Sequence, residues 1–168
     1  LVDEANRLTK MPSGSQEAAV IRGYLDTVLA LPWNEKTTDN TDIKEVSDQL
    51  DRDHYGMKKV KERILELLSV RALTPEVKGQ IICLVGPPGV GKTTLASSIA
   101  KSLNKNFAKI SVGGLNDSSE LNGHRRTYIG SMMGRILSAI NKAGVNNPLI
   151  LLDEIDKLAS DMKGDPAS

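Results

Sequence analysis

The chain has few aromatic residues and almost no cysteine. Of its 168 residues one is cysteine, one tryptophan and one phenylalanine, and aromatic residues make up 3%. A single cysteine excludes an intrachain disulfide framework. Because Cys83 lies inside an apolar run, we expect it to be a small buried hydrophobe in a reducing compartment.

The sequence also lacks a charge excess and a long hydrophobic run. Lys and Arg together number 22 against 21 for Asp and Glu, so the formal net charge of +1 draws the chain neither to nucleic acid nor to an anionic membrane. The longest apolar runs, 81–85 and 149–152, fall far short of the about 18 residues that a spanning helix needs. With 39% hydrophobic and 26% charged residues, the composition predicts a soluble globular protein with a packed core.

The first third of the chain predicts helices. Apolar residues within 1–10 have helical spacing, and Ser13, three residues before a glutamine, forms a capping-box signal for a second helix that Pro32 ends. A polar stretch then predicts a domain junction within 34–42, where Asp42 can cap a further short helix. Because the chain begins without an initiator Met and stops among polar residues, we expect it to be cut at both ends.

The remainder alternates between helical and strand patterns. A long helical pattern ends before Pro75, and the β-branched apolar run 81–85 is typical of a parallel strand buried on both faces. Further helices are predicted at 93–103 and 134–143, and further strands at 107–112 and 149–152. This alternation predicts an α/β fold with a parallel sheet, preceded by a helical segment.

A glycine-rich motif follows the first predicted strand. Residues 86–93 fit G-x-x-x-x-G-K-[ST] between a strand and a helix, the context in which backbone N–H groups and a helix N-terminus surround phosphates. Lys92 is then the cation on the β- and γ-phosphates and Thr93 a magnesium ligand. A chance glycine-rich turn is the alternative, which the flanking elements disfavour. The predicted nucleotide-binding residues here are Gly86, Pro87, Pro88, Gly89, Val90, Gly91, Lys92, Thr93 and Thr94.

Two adjacent carboxylates end the last predicted strand. Asp153 can hold magnesium through water, and Glu154 is the predicted catalytic residue that orients the attacking water. The pair suits ATP hydrolysis because one carboxylate must stay ionised beside the metal while the other serves the nucleophile. A strand that simply exits into a solvated acidic turn is the alternative.

Five short strings closely resemble the Lon family of ATP-dependent proteases in order and spacing. They are Pro-Trp-Asn at 32–34, Asp-His-Tyr-Gly at 53–56, the glycine-rich loop at 86–93, Gly-His-Arg-Arg-Thr-Tyr-Ile-Gly at 123–130 and Leu-Leu-Asp-Glu-Ile-Asp-Lys at 151–157. The glycine-rich loop is shared with very many ATPases, whereas the string at 123–130 is specific to Lon-type enzymes. The resemblance covers essentially the whole chain.

The resemblance implies a truncated P-loop NTPase (AAA+) sheet. Residues 1–34 would be the end of the helical N-terminal region and 35–168 the first part of the ATPase module. It further implies ATP with Mg²⁺ as cofactors, a homo-hexameric ring in the intact protein and unfolded proteins as substrates. DNA binding is not indicated, and no membrane partner is expected. The implied location is the bacterial cytoplasm, with the mitochondrial matrix as the alternative.

The same resemblance assigns roles to two aromatic segments. His54 and Tyr55 match the family's adenine-side contact, although they could instead cap and staple the following helix. Tyr128 and Ile129 match the pore loop that grips substrate, whereas a packed aromatic in a core is the alternative. The basic cluster 124–126 has no assigned role.

The family's sensor residues, arginine finger and serine-lysine protease domain have no counterpart in these residues. AAA+ sheets have strand order 5-1-4-3-2, so we expect the strand at 81–85 to lack its neighbour and the isolated chain to fold poorly. A non-proteolytic AAA+ motor and a nucleotide-binding assembly module are the competing functions. The downstream sequence would distinguish a Lon-type protease from a non-proteolytic motor. A hydrolysis assay would distinguish an ATPase from an assembly module.

Overall fold

The computed structural model describes residues 1–12, 14–74, 81–115, 117–123 and 133–157. Within them the elements are α1 (Val2–Thr9), α2 (Gln16–Leu29), α3 (Ile43–Asp53), α4 (Lys58–Leu73), α5 (Lys92–Ser102), β1 (Phe107–Ser111), α6 (Ser118–Asn122), α7 (Arg135–Ala143), β2 (Leu149–Asp153) and a 3₁₀ turn (Ile155–Lys157). The chain divides into two compact units. The first contains Leu1–Lys36 and Ala108–Ser168, and the second is Thr37–Phe107.

The chain begins with a pair of packed helices, α1 and α2. The Ser15 hydroxyl accepts a hydrogen bond from the Ala18 backbone N–H at 3.2 Å and so caps α2. The predicted cap at Ser13 is therefore wrong, because the residue that caps a helix must directly precede its first turn. Ser13 itself lies outside the described residues. The helix ends at Leu29, ahead of Pro32, as the sequence predicts.

In the second unit, α3 packs against both α4 and α5. The predicted cap of α3 is confirmed, since the Asp42 carboxylate accepts hydrogen bonds from the N–H groups of Lys44 and Glu45 at 2.9 and 3.1 Å. Val46 and Leu50, four residues apart on α3, are fully buried, as expected of one face of an amphipathic helix. This packing fixes α5, the helix that begins at Lys92.

In the first unit, β1 and β2 form a two-stranded parallel sheet. The backbone N–H of Val112 donates to the Asp153 carbonyl oxygen at 3.0 Å, so the carboxyl ends of both strands lie side by side. Buried side chains of β1 and the segment after it pack with Ala139 of α7. The pairing agrees with the predicted strand order, in which these two strands are neighbours. It also places the residues after β1 beside those after β2.

The predicted strand at 81–85 is not a strand in this structure. These residues pair with no other strand among those described, and Ile81 and Val85 are about nine-tenths exposed. Cys83 is consequently exposed rather than buried, which corrects the prediction for this residue. The physical reason is that an extended run becomes a buried strand only beside hydrogen-bonding neighbours. The strands that the predicted order places beside it are not among the described residues.

The predicted strand at 149–152 is confirmed as β2, which is half-buried. Ile150 contacts the core, whereas Leu152 on the same strand is 46% exposed. Only one side of β2 is paired within the described residues, which leaves part of its apolar surface open. Among the described residues, no helix has the length and apolarity needed to cross a membrane.

Candidate nucleotide-binding site

The glycine-rich loop forms a turn that leads directly into α5. Gly89 and Gly91 have φ angles of +80° and +90°, a left-handed conformation that side chains rarely adopt. Gly91 is the residue before the first turn of α5, and Lys92 is the first residue of the helix. The two glycines therefore let the loop present its backbone at a helix N-terminus, where phosphate is favoured.

The Lys92 side chain lies over the loop that precedes it. Its Nζ donates hydrogen bonds to the carbonyl oxygens of Gly86 and Pro87, each at 2.7 Å. Thr93 is half-buried in the first turn of α5, and the Thr94 hydroxyl donates to the Gly91 carbonyl at 2.9 Å. A phosphate placed in the loop would meet the ammonium group of Lys92 already positioned at its mouth.

His54 and Tyr55 lie after α3, in the same unit as the loop. The His54 backbone N–H donates to the Leu50 carbonyl and closes α3, while its Nε2 lies 2.9 Å from the Ser98 Oγ of α5. Tyr55 is fully exposed. The alternative that these residues cap and staple α4 is wrong, because the residue before α4 is Met57 and the Tyr55 ring is fully exposed, so it packs on none of the described residues. Their contact with adenine remains a prediction.

The two predicted carboxylates lie at the carboxyl end of β2, in the first unit. Asp153 Oδ1 accepts the Glu154 backbone N–H at 3.0 Å, and Oδ2 forms an ion pair with Lys109 Nζ at 2.7 Å. Glu154 Oε1 accepts from Lys157 Nζ at 2.5 Å, and Oε2 accepts from the Ser111 hydroxyl at 3.1 Å. Each carboxylate is thus held by a lysine and at least one further donor.

Glu154 has an unusual backbone as well as a restrained side chain. Its φ angle of +61° is rare for a residue other than glycine and marks local strain of the kind found at functional sites. The hydrogen bonds from Lys157 and then Ser111 hold the pKa of the Glu154 carboxyl below its ordinary value. Gly113 lies so close that a Cβ added there would be 2.8 Å from Glu154 Oε2. Glu154 is therefore an ionised group in a confined position.

Comparison with protein families decides the class of this site. The model of the ATPase family associated with various cellular activities (AAA) matches residues 82–168, which include both the loop and the carboxylates. The chain belongs to the AAA family of ATPases. The PrkA AAA domain model also matches, over residues 23–123. Membership of the AAA family implies that this chain binds a nucleotide.

The AAA chain is similar along nearly its whole length to bacterial Lon proteases. Lon protease 1 of Bacillus subtilis and Lon protease of Ureaplasma parvum are each 58% identical over 98% of this chain and 21% of the relative. Lon protease of Xanthomonas oryzae is 55% identical over 98% of this chain and 19% of the relative. The predicted family resemblance is confirmed, and the chain spans about a fifth of the length of these relatives.

Several residues that contact the predicted site residues were not themselves predicted from the sequence. Lys109 and Ser111 lie two residues apart on the exposed face of β1, and Lys157 lies in the turn after β2. Strand periodicity could have placed Lys109 and Ser111 on one face. Nothing local indicated that this face would meet Asp153 and Glu154. In the loop half, Ser98, which contacts the predicted site residue His54, was likewise not predicted.

The predicted magnesium ligands Thr93 and Asp153 belong to different units, and their binding of one ion remains a prediction. Their chemistry fits the ion, because Mg²⁺ is commonly bound by one or two carboxylates, a hydroxyl and substrate phosphates. Within the described ranges, no cluster of three or more His, Cys, Asp or Glu residues forms a metal site made of protein alone. The predicted pore-loop residues Tyr128 and Ile129, and the basic cluster 124–126, lie outside the described residues.

Proposed function

We propose that this AAA chain is the ATP-binding and hydrolysing motor portion of an ATP-dependent serine protease of the Lon type. The main support for this proposal is the loop in which Gly89 and Gly91, at φ +80° and +90°, place Lys92 at the start of α5. Such a loop suits nucleotide phosphates. The similarity to Lon proteases over 98% of the chain supports the proteolytic setting.

In this proposal ATP with Mg²⁺ binds at the loop. Lys92 would neutralise the β- and γ-phosphates, Thr93 and, through water, Asp153 would hold the metal, and bound Mg²⁺ would supply charge neutralisation to the phosphates. Glu154 orients the attacking water, a role for which its lowered pKa keeps it ionised. Lys109 and Lys157 restrain the two carboxylates through the ion pairs already described.

The proposed partners rest on the resemblance to the Lon family. The intact protein would assemble as a homo-hexamer, unfold misfolded or regulatory proteins and degrade them. The bacterial cytoplasm is the proposed location, supported by relatives from Bacillus subtilis and Xanthomonas oryzae. Tyr128 and Ile129 would grip the substrate in the central pore.

The proposal is tested by degradation of a labelled unfolded protein with the intact protein. We expect degradation only with both ATP and Mg²⁺, and none by the Lys92→Ala variant. ATP hydrolysis without cleavage of any protein would instead support a non-proteolytic AAA motor. Tight ATP binding without hydrolysis would favour an assembly module.

The pore role of Tyr128 has its own test, because a gripping aromatic and a core aromatic fail differently. Tyr128→Ala should leave ATP binding and cleavage of short peptides nearly intact, since short peptides reach the protease sites by diffusion. Degradation of a folded protein should collapse, because each pulling step loses its contact. A parallel loss of ATP binding, peptide cleavage and protein degradation, with a lowered melting temperature, would indicate instead that Tyr128 packs in a core.

A further inference from the structure

The peptide unit that joins Ser111 to Val112, at the carboxyl end of β1, is held from both sides. Its N–H, which belongs to Val112, donates to the Asp153 carbonyl oxygen at the end of β2 at 3.0 Å. Because a trans peptide is planar, its N–H and C=O point in opposite directions. The Ser111 carbonyl oxygen accordingly points away from β2, and it accepts a hydrogen bond from Arg135 Nη1 at 3.1 Å. Arg135 therefore pairs a backbone group on the side of β1 that no other described strand covers.

Arg135 is itself fastened to α6. Its Nη2 forms an ion pair with Glu120 Oε2 at 2.8 Å. The preceding residue, Gly134, lies directly against the end of α6. A Cβ added to Gly134 would be 2.3 Å from the Leu121 carbonyl oxygen and 2.4 Å from the Gly123 nitrogen, so only glycine fits there without a shift of the backbone. One guanidinium group therefore joins the end of β1 to the closely packed pair of helices α6 and α7.

The Glu154 side chain lies beside the same peptide unit. The Ser111 hydroxyl donates to Glu154 Oε2 at 3.1 Å. A Cβ added to Gly113 would be 2.8 Å from that oxygen. The residues immediately before and after Val112 thus both lie against the Glu154 side chain. A rotation of the 111–112 peptide would displace both of them, because they share its backbone.

We propose that Arg135 is a positioning residue for ATP hydrolysis, which fixes the 111–112 peptide against α6 and through it holds Glu154 where this carboxylate orients the attacking water. The inference rests on the proposed function, because it concerns the role given there to Glu154. Arginine suits the task, since its planar guanidinium carries several N–H donors in a fixed fork and can donate to a carbonyl and a carboxylate at once. The Arg135 side chain is 46% exposed, so we expect a moderate effect.

Steady-state ATP hydrolysis by the intact protein separates positioning from binding. The kcat, the KM and the affinity for ATP are measured for the unmodified protein, Arg135→Ala and Lys142→Ala. Lys142 is the matched control, because it is an exposed cation on the same helix. Arg135→Ala should lower kcat roughly three- to tenfold and leave the affinity for ATP unchanged, and Lys142→Ala should alter neither. Glu120→Ala, which removes the anchor of the guanidinium, should lower kcat in the same way but less, and it applies the same test if Arg135→Ala does not fold.

A double variant tests whether Arg135 acts through Glu154. If it does, Arg135→Ala combined with Glu154→Gln should slow single-turnover hydrolysis little more than Glu154→Gln alone. Two losses that simply multiply would show that Arg135 acts independently of Glu154 and would overturn the inference. Unchanged kcat in Arg135→Ala would also overturn it, as would a parallel loss of ATP affinity and kcat with a lowered melting temperature. Absence of ATP hydrolysis by the unmodified intact protein would instead reject the proposed function, and this inference with it.

Discussion

The phosphate loop and the pair of carboxylates, which are the two halves of the proposed nucleotide site, are built in different ways. In the loop half, conformation comes from the backbone, since Gly89 and Gly91 adopt positive φ angles and a helix begins directly after them. In the carboxylate half, side chains restrain one another, with Asp153 paired to Lys109 and Glu154 to Lys157. Backbone geometry is set by neighbouring residues, whereas the side-chain network depends on β1 and β2 coming together. The loop half should therefore tolerate side-chain changes at most positions, and the carboxylate half at few.

The largest expected effect is that of removing the cationic side chain of the loop half. Lys92→Ala removes the ammonium group at the mouth of the loop and should lower ATP affinity on the order of a hundredfold. Titration with a fluorescent nucleotide measures it. Lys101→Ala, an exposed lysine in the last turn of the same helix, is the matched control and should bind normally. Unchanged ATP affinity in Lys92→Ala would contradict the role of Lys92 in binding the phosphates.

The next effect distinguishes the halves by separating binding from turnover. Glu154→Gln keeps the shape of the side chain but removes the carboxylate that orients water, so ATP turnover should fall roughly a hundredfold. Nucleotide affinity should change little, because the loop half is untouched. Asp156→Asn, an exposed acid two residues later, is the control. Steady-state hydrolysis near the unmodified rate in Glu154→Gln would remove this residue from the mechanism.

A smaller effect tests how confined the carboxylate half is. Gly113→Ala would place a methyl group 2.8 Å from Glu154 Oε2 and 3.0 Å from its Cβ, so the glutamate must move. We expect turnover to fall roughly tenfold, since small misplacements of a catalytic group are costly. Nucleotide binding should persist. Gly23→Ala is the control, because a Cβ there meets nothing within 4 Å. Normal turnover in Gly113→Ala would show that Glu154 is not confined.

The difference between the halves also explains what the sequence could predict. The loop, the cap at Asp42 and the two paired strands were predictable because each depends on residues close in sequence or on a simple period. The contacts of Ser98 with His54 and of Ser111 with Glu154 join residues 44 and 43 positions apart, which no local pattern reveals. The prediction of a strand at 81–85 was wrong for the same reason. Its composition suits a strand, but strand formation requires a partner elsewhere in the chain.

The smallest expected effect is electrostatic and asks whether the side-chain network of the carboxylate half exists in solution. The hydrogen bond from Lys157 is the largest cause of the lowered pKa of Glu154, and the bond from Ser111 is the next. Lys157→Gln should therefore raise the pKa of Glu154 toward its ordinary value, and Ser111→Ala should raise it less. Carbon-detected NMR titration of the carboxyl group measures both shifts.

The reciprocal measurement follows the pKa of Lys157, which should shift in the opposite direction when Glu154 is replaced. Because the pKa of Glu154 is lowered on folding, its contribution to stability is present above the pKa of the unfolded chain and is lost as pH falls through the folded value. Lys157 has a raised pKa, so its contribution is present below the unfolded value and lost as pH rises through the folded one. Glu154→Gln should accordingly lower the pKa of Lys157 toward its ordinary value. If either group titrates alike with and without its partner, the ion pair does not form in solution, and the carboxylate half would depend on its backbone as the loop half does.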